Sequence, residues 1–166
     1  MAPDMKPPMK PPTIVLVDDD EMILRSIRTF LATEMNHELL TYTSPGRALD
    51  DIEKHIENVD LVISDYMMPE MDGISFLTQV KERFPLVPRI LMTGYADKEN
   101  AIKAINQVGL YQYVEKPWND EELRLILRNG LEKAALLRQL EEKVRDAERA
   151  HRQLHAVQKD ILRVFI

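Results

Sequence analysis

The sequence contains no cysteine and no apolar run close to the roughly 20 residues that a helix needs to cross a bilayer. The absence of cysteine excludes disulfides, thiolate metal sites and thiol catalysis, and it fits a reducing compartment. The N-terminus also lacks the hydrophobic core of a signal peptide. We therefore expect a cytoplasmic protein that neither is secreted nor enters a membrane.

Positive charge is scarce over most of the chain. Residues 1–118 contain 12 lysines and arginines against 19 acidic residues, a net charge of −7, whereas residues 119–166 contain 10 against 9, a net charge of +1. The acidic part does not favour nucleic acid as a direct partner. The 166 residues suit one domain of common size with some extra length, and the change near Trp118 predicts two regions with different roles.

Short apolar runs alternate with segments of helical spacing. The predicted strands are residues 13–17, 39–43, 59–64, 89–92 and 110–114. The predicted helices follow Asp18–Asp20, start at Pro45, cover 72–84 and 97–106, and run from Asn119 to the C-terminus. Five strands alternating with five helices predict an α/β fold, a doubly wound parallel sheet with helices on both faces. We expect the flavodoxin-like strand order 2-1-3-4-5 and an extended C-terminal helix.

Apolar residues at helical spacing predict the buried face of each helix. They are Met22, Ile23, Ile27, Phe30 and Leu31 in the first helix; Ala48, Leu49, Ile52 and Ile56 in the second; Ile74, Phe76, Leu77 and Val80 in the third; Ala101, Ile102 and Ile105 in the fourth; and Leu123, Ile126 and Leu127 in the fifth.

Acidic residues follow the two strands that flank the predicted switch point of the sheet. Asp18 and Asp19 come directly after strand 1, and Asp65 ends strand 3, so the topology brings them together. Three converging carboxylates repel one another unless a cation compensates. Oxygen-only ligands select a hard cation, and Mg²⁺ is the expected one.

Two further strand ends supply groups that suit phosphoryl transfer. Thr93 offers a hydroxyl after strand 4 and Lys116 an ammonium after strand 5. Positioning and charge neutralisation do most of the work in that chemistry. Asp65 is the best candidate nucleophile, because Asp18 and Asp19 are then left to hold the metal, and its attack on phosphorus gives an aspartyl-phosphate.

These residues occur in motifs that follow one another in a fixed order. The motifs are Val17-Asp18-Asp19, Asp65 within Ser-Asp-Tyr-Met-Met-Pro-Glu-Met-Asp-Gly, Thr93-Gly94, and Tyr113-Val-Glu-Lys116-Pro117. In this order they resemble the receiver domain of bacterial two-component response regulators, over residues 13–131. The strand order 2-1-3-4-5 is also that of this family, so the two expectations are not independent.

The resemblance implies a phosphoacceptor site that depends on Mg²⁺. Asp65 would take a phosphoryl group from a phosphohistidine of a cognate histidine kinase or phosphotransfer protein. Asp19 would bind Mg²⁺ directly and Asp18 mainly through water, and the Met67 carbonyl would complete the protein ligands. Asp20 extends the acidic pair, which leaves open which two of these three neighbours bind the metal.

The resemblance also implies a response to phosphorylation. Thr93 and Tyr113 would form the switch pair, with the hydroxyl turning towards the phosphate as the aromatic ring moves inward. Lys116 would contact the phosphate, and its peptide bond to Pro117 would be cis. Such a domain is not an enzyme acting on other molecules, because only its own phosphorylation and dephosphorylation are expected.

The two ends of the chain differ from the middle. Residues 1–12 are proline-rich and predict a disordered arm. Residues 132–166 predict a helical extension with a heptad pattern that favours a parallel coiled coil and a homodimer, with a solvated single helix as the alternative. The a positions are Leu137, Val144, His151, Gln158 and Phe165, and the d positions are Leu140, Ala147, Leu154 and Ile161. In this family such a helix leads to an output domain, and the apolar ending favours a fragment that stops in its linker.

Two other functions remain open from the sequence. One is a constitutive dimerisation or scaffold module in which phosphorylation is incidental. The other is a Mg²⁺-dependent phosphohydrolase of the haloacid dehalogenase class, with Asp18-x-Asp20 as its nucleophile motif. The second leaves the motif around Asp65 unexplained.

Overall fold

The computed structural model describes residues 10–34, 36–54 and 58–164. These residues form five strands and five helices in strict alternation, with a short 3-10 turn before the fourth helix. They are β1 (Thr13–Val17), α1 (Glu21–Glu34), β2 (Glu38–Tyr42), α2 (Pro45–Lys54), β3 (Leu61–Asp65), α3 (Gly73–Arg83), β4 (Arg89–Thr93), the 3-10 turn (Tyr95–Asp97), α4 (Lys98–Val108), β5 (Gln112–Glu115) and α5 (Asp120–Val164).

The five strands form one parallel sheet in the order β2-β1-β3-β4-β5. The predicted fold class and strand order are therefore confirmed. β1 lies between β2 and β3 and all five of its residues are buried, which explains why it consists of apolar and β-branched residues without an alternation of polar residues. Because all strands run the same way, their carboxyl ends meet at one edge of the sheet.

The two faces of the sheet carry separate cores. On one face, Val15 and Val17 of β1 belong to a cluster that includes buried residues of α2, α3 and α4. On the other face, Ile14 and Leu16 belong to a cluster that includes buried residues of α1 and α5. Successive side chains of β1 thus point to opposite faces of the sheet, and each face is covered by its own layer of helices, as in a doubly wound fold.

The helix faces agree with the sequence except at particular positions. In α1 the buried residues are Leu24, Ile27 and Leu31, whereas Met22 is 75% exposed. In α4, Ile102 is 43% exposed, and the small residues Ala101 and Ala104 are buried instead. Both corrections concern the phase of the helix rather than its existence.

Three predicted strands are displaced by one or two residues. β2 is Glu38–Tyr42, β3 is Leu61–Asp65 and β5 is Gln112–Glu115, where the sequence predicted 39–43, 59–64 and 110–114. Val59 and Leu110 are buried although they lie outside the strands. At these two positions the apolar side chain indicates burial in the core, but the residue is not part of a strand of the sheet.

The C-terminal helix α5 is continuous over 45 residues. Asn119 precedes it, and its side-chain oxygen accepts a hydrogen bond from the Glu121 amide at 2.9 Å, as expected for a capping residue. The chain divides into two compact units, Met1–Ala134 and Ala135–Ile166, and α5 belongs to both. In the second unit the apolar residues Leu140, Val144, Leu154 and Ile161 are about half exposed.

Some predictions lie outside the described residues. They are the arm over residues 1–9, Ile56 in the apolar stripe of α2, and Phe165 in the last heptad. Within the described ranges, the protein has no helix that is both long and apolar enough to cross a membrane.

Candidate functional site

Three carboxylates converge at the carboxyl edge of the sheet. β1 pairs directly with β3, with Val17 beside Ser64, so Asp18 after one strand and Asp65 at the end of the other become neighbours. One carboxylate oxygen each of Asp18, Asp19 and Asp65 lie within 4.8 Å of one another. Asp18 is fully buried, Asp19 is exposed, and Asp65 is intermediate.

Asp20 does not belong to this cluster. Its backbone amide donates to Asp18 Oδ1 at 2.9 Å, and its own carboxylate accepts from the Met22 amide at 2.9 Å. The side chain of Asp20 therefore caps the first turn of α1. The sequence left open which of the three neighbouring acids face the metal, and the geometry groups Asp18 and Asp19 with Asp65.

Lys116 reaches the carboxylates from the loop that follows β5. Its Nζ lies 2.8 Å from Asp18 Oδ2 and 3.0 Å from Asp65 Oδ1. The Lys116 amide donates to the Thr93 carbonyl at 2.8 Å, which fixes the backbone of this residue. The peptide bond to Pro117 is cis, as the resemblance implied. One ammonium thus faces three carboxylates, and the pocket keeps an excess of negative charge.

The titration of the pocket follows from burial and pairing. Burial raises the pKa of the Asp18 carboxyl above its usual range, although hydrogen bonds from Lys116 and the Asp20 amide oppose the rise. Burial also disfavours the Lys116 ammonium, but its bonds to Asp18 and Asp65 outweigh burial and raise the pKa of Lys116. Lys116 therefore stays charged in the pocket and continues to pair with Asp18 and Asp65.

Thr93 and Tyr113 lie on neighbouring strands. Thr93 ends β4, is fully buried, and donates its hydroxyl to the Gly94 carbonyl at 3.1 Å. Tyr113 is half-buried in β5, pairs with Leu91 of β4, and packs against the core on the α2–α4 face. The Thr93 hydroxyl thus lies at the same carboxyl edge of the sheet as Asp65, and its hydrogen bond is to the carbonyl of the next residue, Gly94.

The loop from Asp65 to Gly73 folds back on the end of β3. The Tyr66 amide donates to the Met92 carbonyl at 2.9 Å, and the Gly73 amide donates to the Tyr66 carbonyl at 2.7 Å. A Cβ on Gly73 would lie 2.0 Å from the Asp65 carbonyl oxygen. Only glycine fits there, because any side chain at position 73 would clash with the backbone of Asp65.

Sequence reasoning missed this constraint on Gly73. It identified Asp72-Gly73 as a turn and helix start, and Asp72 does cap α3, accepting from the Ser75 amide at 2.7 Å. Met67 lies in the same loop with its side chain 62% exposed. Its predicted use as a carbonyl ligand stays a prediction.

The donor set defines what the site can hold. It consists of carboxylate oxygens, a hydroxyl and an ammonium, without sulfur or imidazole. Such a set suits a hard divalent cation and the oxygens of a phosphoryl group. A carboxylate that is partly exposed, such as Asp65, is also the one that a phosphorus atom can approach.

Comparison with known sequences identifies the family. Residues 14–128 match the family model described as the response regulator receiver domain. The chain is 33% identical over 127 residues to the hydrogenase transcriptional regulatory protein HoxA of Cupriavidus necator, covering 76% of this chain and 26% of HoxA. It is 36% identical over 122 residues to the DNA-binding transcriptional regulator NtrC of Proteus hauseri, covering 72% of this chain and 25% of NtrC. The chain spans about a quarter of the length of these curated relatives.

Solved structures give the same result. The signal receiver domain of an HD domain-containing protein from Pseudomonas fluorescens Pf-5 superposes with a TM-score of 0.70 at 37% identity, covering 76% of this chain and 98% of that one. A receiver domain protein from Clostridium thermocellum superposes with a TM-score of 0.70 at 29% identity, covering 76% and 98%. With its fold, its acidic pocket and these relatives, the chain belongs to the response regulator receiver domain family.

Proposed function

We propose that Asp65 accepts a phosphoryl group from a phosphohistidine of a cognate histidine kinase or phosphotransfer protein. In this step the P–N bond of the phosphohistidine breaks while a P–O bond to an Asp65 carboxylate oxygen forms, and the imidazole leaves with the electron pair. The observation that carries the proposal is the position of Asp65. Its carboxylate lies within 4.8 Å of oxygens of Asp18 and Asp19 and 3.0 Å from the Lys116 ammonium, and its side chain is 13% exposed.

The neighbouring acids suit a supporting role. Asp18 is fully buried and bonded to Lys116, so it cannot approach an incoming phosphorus atom. Asp18, Asp19 and Asp65, with the Met67 carbonyl, would hold Mg²⁺, which would neutralise the phosphoryl oxygens. Without a metal ion the pocket has three carboxylates and only one ammonium, so it repels the anionic donor.

Thr93 and Lys116 would then stabilise the product. The Lys116 ammonium already bridges two carboxylates, and a phosphoryl group on Asp65 would bring further oxygens to it. The Thr93 hydroxyl would exchange its 3.1 Å bond to Gly94 for a phosphate oxygen. Tyr113 would follow inward, because it is only half-buried on the adjoining strand.

The second unit would carry the signal. We assign residues 132–166 to a parallel homodimeric coiled coil that leads from the receiver to an output domain. Its a and d residues Leu140, Val144, Leu154 and Ile161 are about half exposed in the single chain. Lys143 at g can pair with Glu148 at the following e position of a second copy. The curated relatives are transcriptional regulators and one similar solved receiver comes from an HD domain-containing protein, so similar receivers serve different outputs.

The same proposal fixes the kind of activity and the place of action. The chain would modify only itself, with Mg²⁺-dependent phosphorylation and dephosphorylation of Asp65. Its partner kinase would meet it in the cytoplasm, without direct contact to nucleic acid or membrane from this segment.

Uptake of phosphate from a small donor tests the proposal. Purified chain is incubated with acetyl phosphate and Mg²⁺, and its intact mass is followed. We expect one added phosphoryl group in the wild type, none in Asp65→Asn, and none when EDTA removes the metal. Asp72→Asn is the matched control, because asparagine also caps a helix and the variant loses the same charge in the same loop. Uptake by Asp65→Asn equal to that of the wild type would show that another residue is the acceptor.

A further inference from the structure

A groove on the first unit lies outside the acidic pocket. It is bounded by α1, the end of β2 and the start of α2, and its volume is about 440 Å³. That is within the range of roughly 300–1,000 Å³ that is usual for small-molecule sites. Its lining combines three arginines with two acids and a tyrosine: Arg25, Arg28, Arg47, Glu21, Asp51 and Tyr42.

Three arginines line this groove from two helices. Arg25 and Arg28 are one turn apart on α1, and Arg47 lies on α2 across the groove. Arg28 donates to the Thr41 hydroxyl at 2.6 Å. Among the described residues, neither Arg25 nor Arg47 has an ion-pair partner. Three cations therefore converge in a part of the chain whose overall charge is negative.

The two acids of the groove do not cancel this charge. The Asp51 carboxylate is engaged with the Tyr42 hydroxyl, and burial together with this hydrogen bond raises the pKa of Tyr42 to about 12. Glu21 lies in the first turn of α1, where the helix dipole stabilises a negative charge. The lining thus carries three arginines against two acids, and one of these acids, Asp51, is already bonded to Tyr42.

We propose that this groove binds a small phosphorylated molecule, whose phosphate is held by Arg25, Arg28 and Arg47. Guanidinium groups match phosphate oxygens in bidentate geometry, and two or three of them around one anion are typical of phosphate recognition. The half-buried ring of Tyr42 offers an apolar surface for the rest of the ligand, and Glu21 and Asp51 accept hydrogen bonds from its hydroxyl or amino groups. A groove that offers both kinds of group fits a small polar ligand better than the flat contact of a protein partner.

The groove is separate from the phosphoacceptor pocket but shares backbone with it. The Tyr42 carbonyl accepts a hydrogen bond from the Asp18 amide at 3.1 Å. When Mg²⁺ is present and neutralises the acidic pocket, a phosphorylated probe could enter either site. Without Mg²⁺ the acidic pocket repels phosphate, so metal-free conditions isolate the groove.

Isothermal titration of the full chain in EDTA tests the proposal. The probes are AMP and ribose 5-phosphate, with adenosine as the phosphate-free counterpart and a glutamate-rich peptide as a model of an acidic protein segment. We expect saturable one-to-one binding of at least one phosphorylated probe and no binding of adenosine or the peptide.

Variants then locate the binding site. Arg25→Gln with Arg47→Gln should weaken binding of the phosphorylated probe at least tenfold, and Arg25→Lys should weaken it less, because the charge stays while the bidentate fork is lost. Arg128→Gln is the matched control, since Arg128 is exposed on α5 and does not line the groove. Unchanged thermal unfolding of all variants would show that they fold.

Three results would overturn the proposal. They are the absence of saturable binding by either phosphorylated probe at millimolar concentration, equal binding by the double variant and the wild type, and binding of the acidic peptide alone. The last would assign the groove to a protein partner. Loss of phosphate uptake at Asp65 bears only on the phosphoacceptor site, so the two proposals fail independently.

Discussion

Replacing Gly73 by alanine tests how closely the loop from Asp65 to Gly73 packs on the end of β3. The added Cβ would lie 2.0 Å from the Asp65 carbonyl oxygen and 2.9 Å from Leu91 Cδ1. An ordinary carbon–oxygen contact is about 3.3 Å or longer, so the backbone must open by about 1.3 Å on that side. A flexible side chain could rotate away, but the carbonyl is held at the end of a buried strand and cannot.

The expected loss of stability follows from these contacts. Overpacking a rigid site costs typically about 1–3 kcal/mol, and a clash with backbone belongs at the upper end of that range. Alanine regains at most about 1 kcal/mol in helix propensity at the first position of α3. We therefore expect the free energy of unfolding of Gly73→Ala to fall by about 2 kcal/mol, and its melting temperature by roughly 8 °C for a domain of this size.

Urea unfolding of the wild type and Gly73→Ala measures this difference, and Gly94→Ala is the matched control. Gly94 has a φ of −74°, and a Cβ there would meet nothing within 4 Å. The control should stay within about 1 kcal/mol of the wild type or gain slightly, because alanine restricts the unfolded chain. A change below about 1 kcal/mol in Gly73→Ala, or an equal loss in both variants, would refute the packing argument.

Two further predictions concern helix α5. The Arg124 guanidinium bonds the Glu34 carboxylate at 2.6 and 2.8 Å, and these bonds lower the pKa of Glu34. When folding lowers the pKa of a carboxyl, the charged group stabilises the fold at pH values above its ordinary pKa. This stabilisation is lost as the pH falls through the pKa of the folded state. Wild type should therefore unfold at higher urea than Glu34→Gln at neutral pH, and a difference that persists in acid would contradict the pairing. In the second unit, Leu140→Asp with Leu154→Asp should yield monomers by light scattering, whereas Ala156→Asp on the outer heptad position should not; an unchanged mass in the double variant would refute the heptad frame.

The order of the elements and the strand order were predictable because each depends on local patterns. Apolar runs bounded by turn residues mark the strands, and the alternation with helices leaves few topologies. The ends of the strands were less predictable. Val59 and Leu110 are as apolar as their neighbours in the strands, but they lie outside the ladder and serve only the core.

Helix phase was predictable only in part. The sequence pattern of α1 included Met22 and omitted Leu24, whereas the structure exposes the first and buries the second. One apolar residue at the start of a helix fits either phase, and the position of the sheet decides between them. The same applies to α4, where alanines fill the narrow contact and Ile102 faces outward.

The site was predictable where its residues end strands, and less so where contact in three dimensions decides. Asp18, Asp19 and Asp65 lie together because β1 and β3 are neighbours, which the topology implies. The capping role of Asp20 was predictable, because an acidic residue directly before a helix is a preferred cap. The close approach of Gly73 to Asp65 could not, because it depends on how the loop between them folds back.

The identity of the phosphorylated residue is the central claim, and chemical mapping tests it most directly. The chain is phosphorylated with acetyl phosphate and Mg²⁺, reduced with borohydride, which converts an aspartyl-phosphate to homoserine, and digested for peptide sequencing by mass spectrometry. The account predicts homoserine at Asp65, with Asp18 and Asp19 unmodified. Homoserine at either of those two positions, or a phosphoryl group that resists borohydride on a hydroxyl residue, would contradict it.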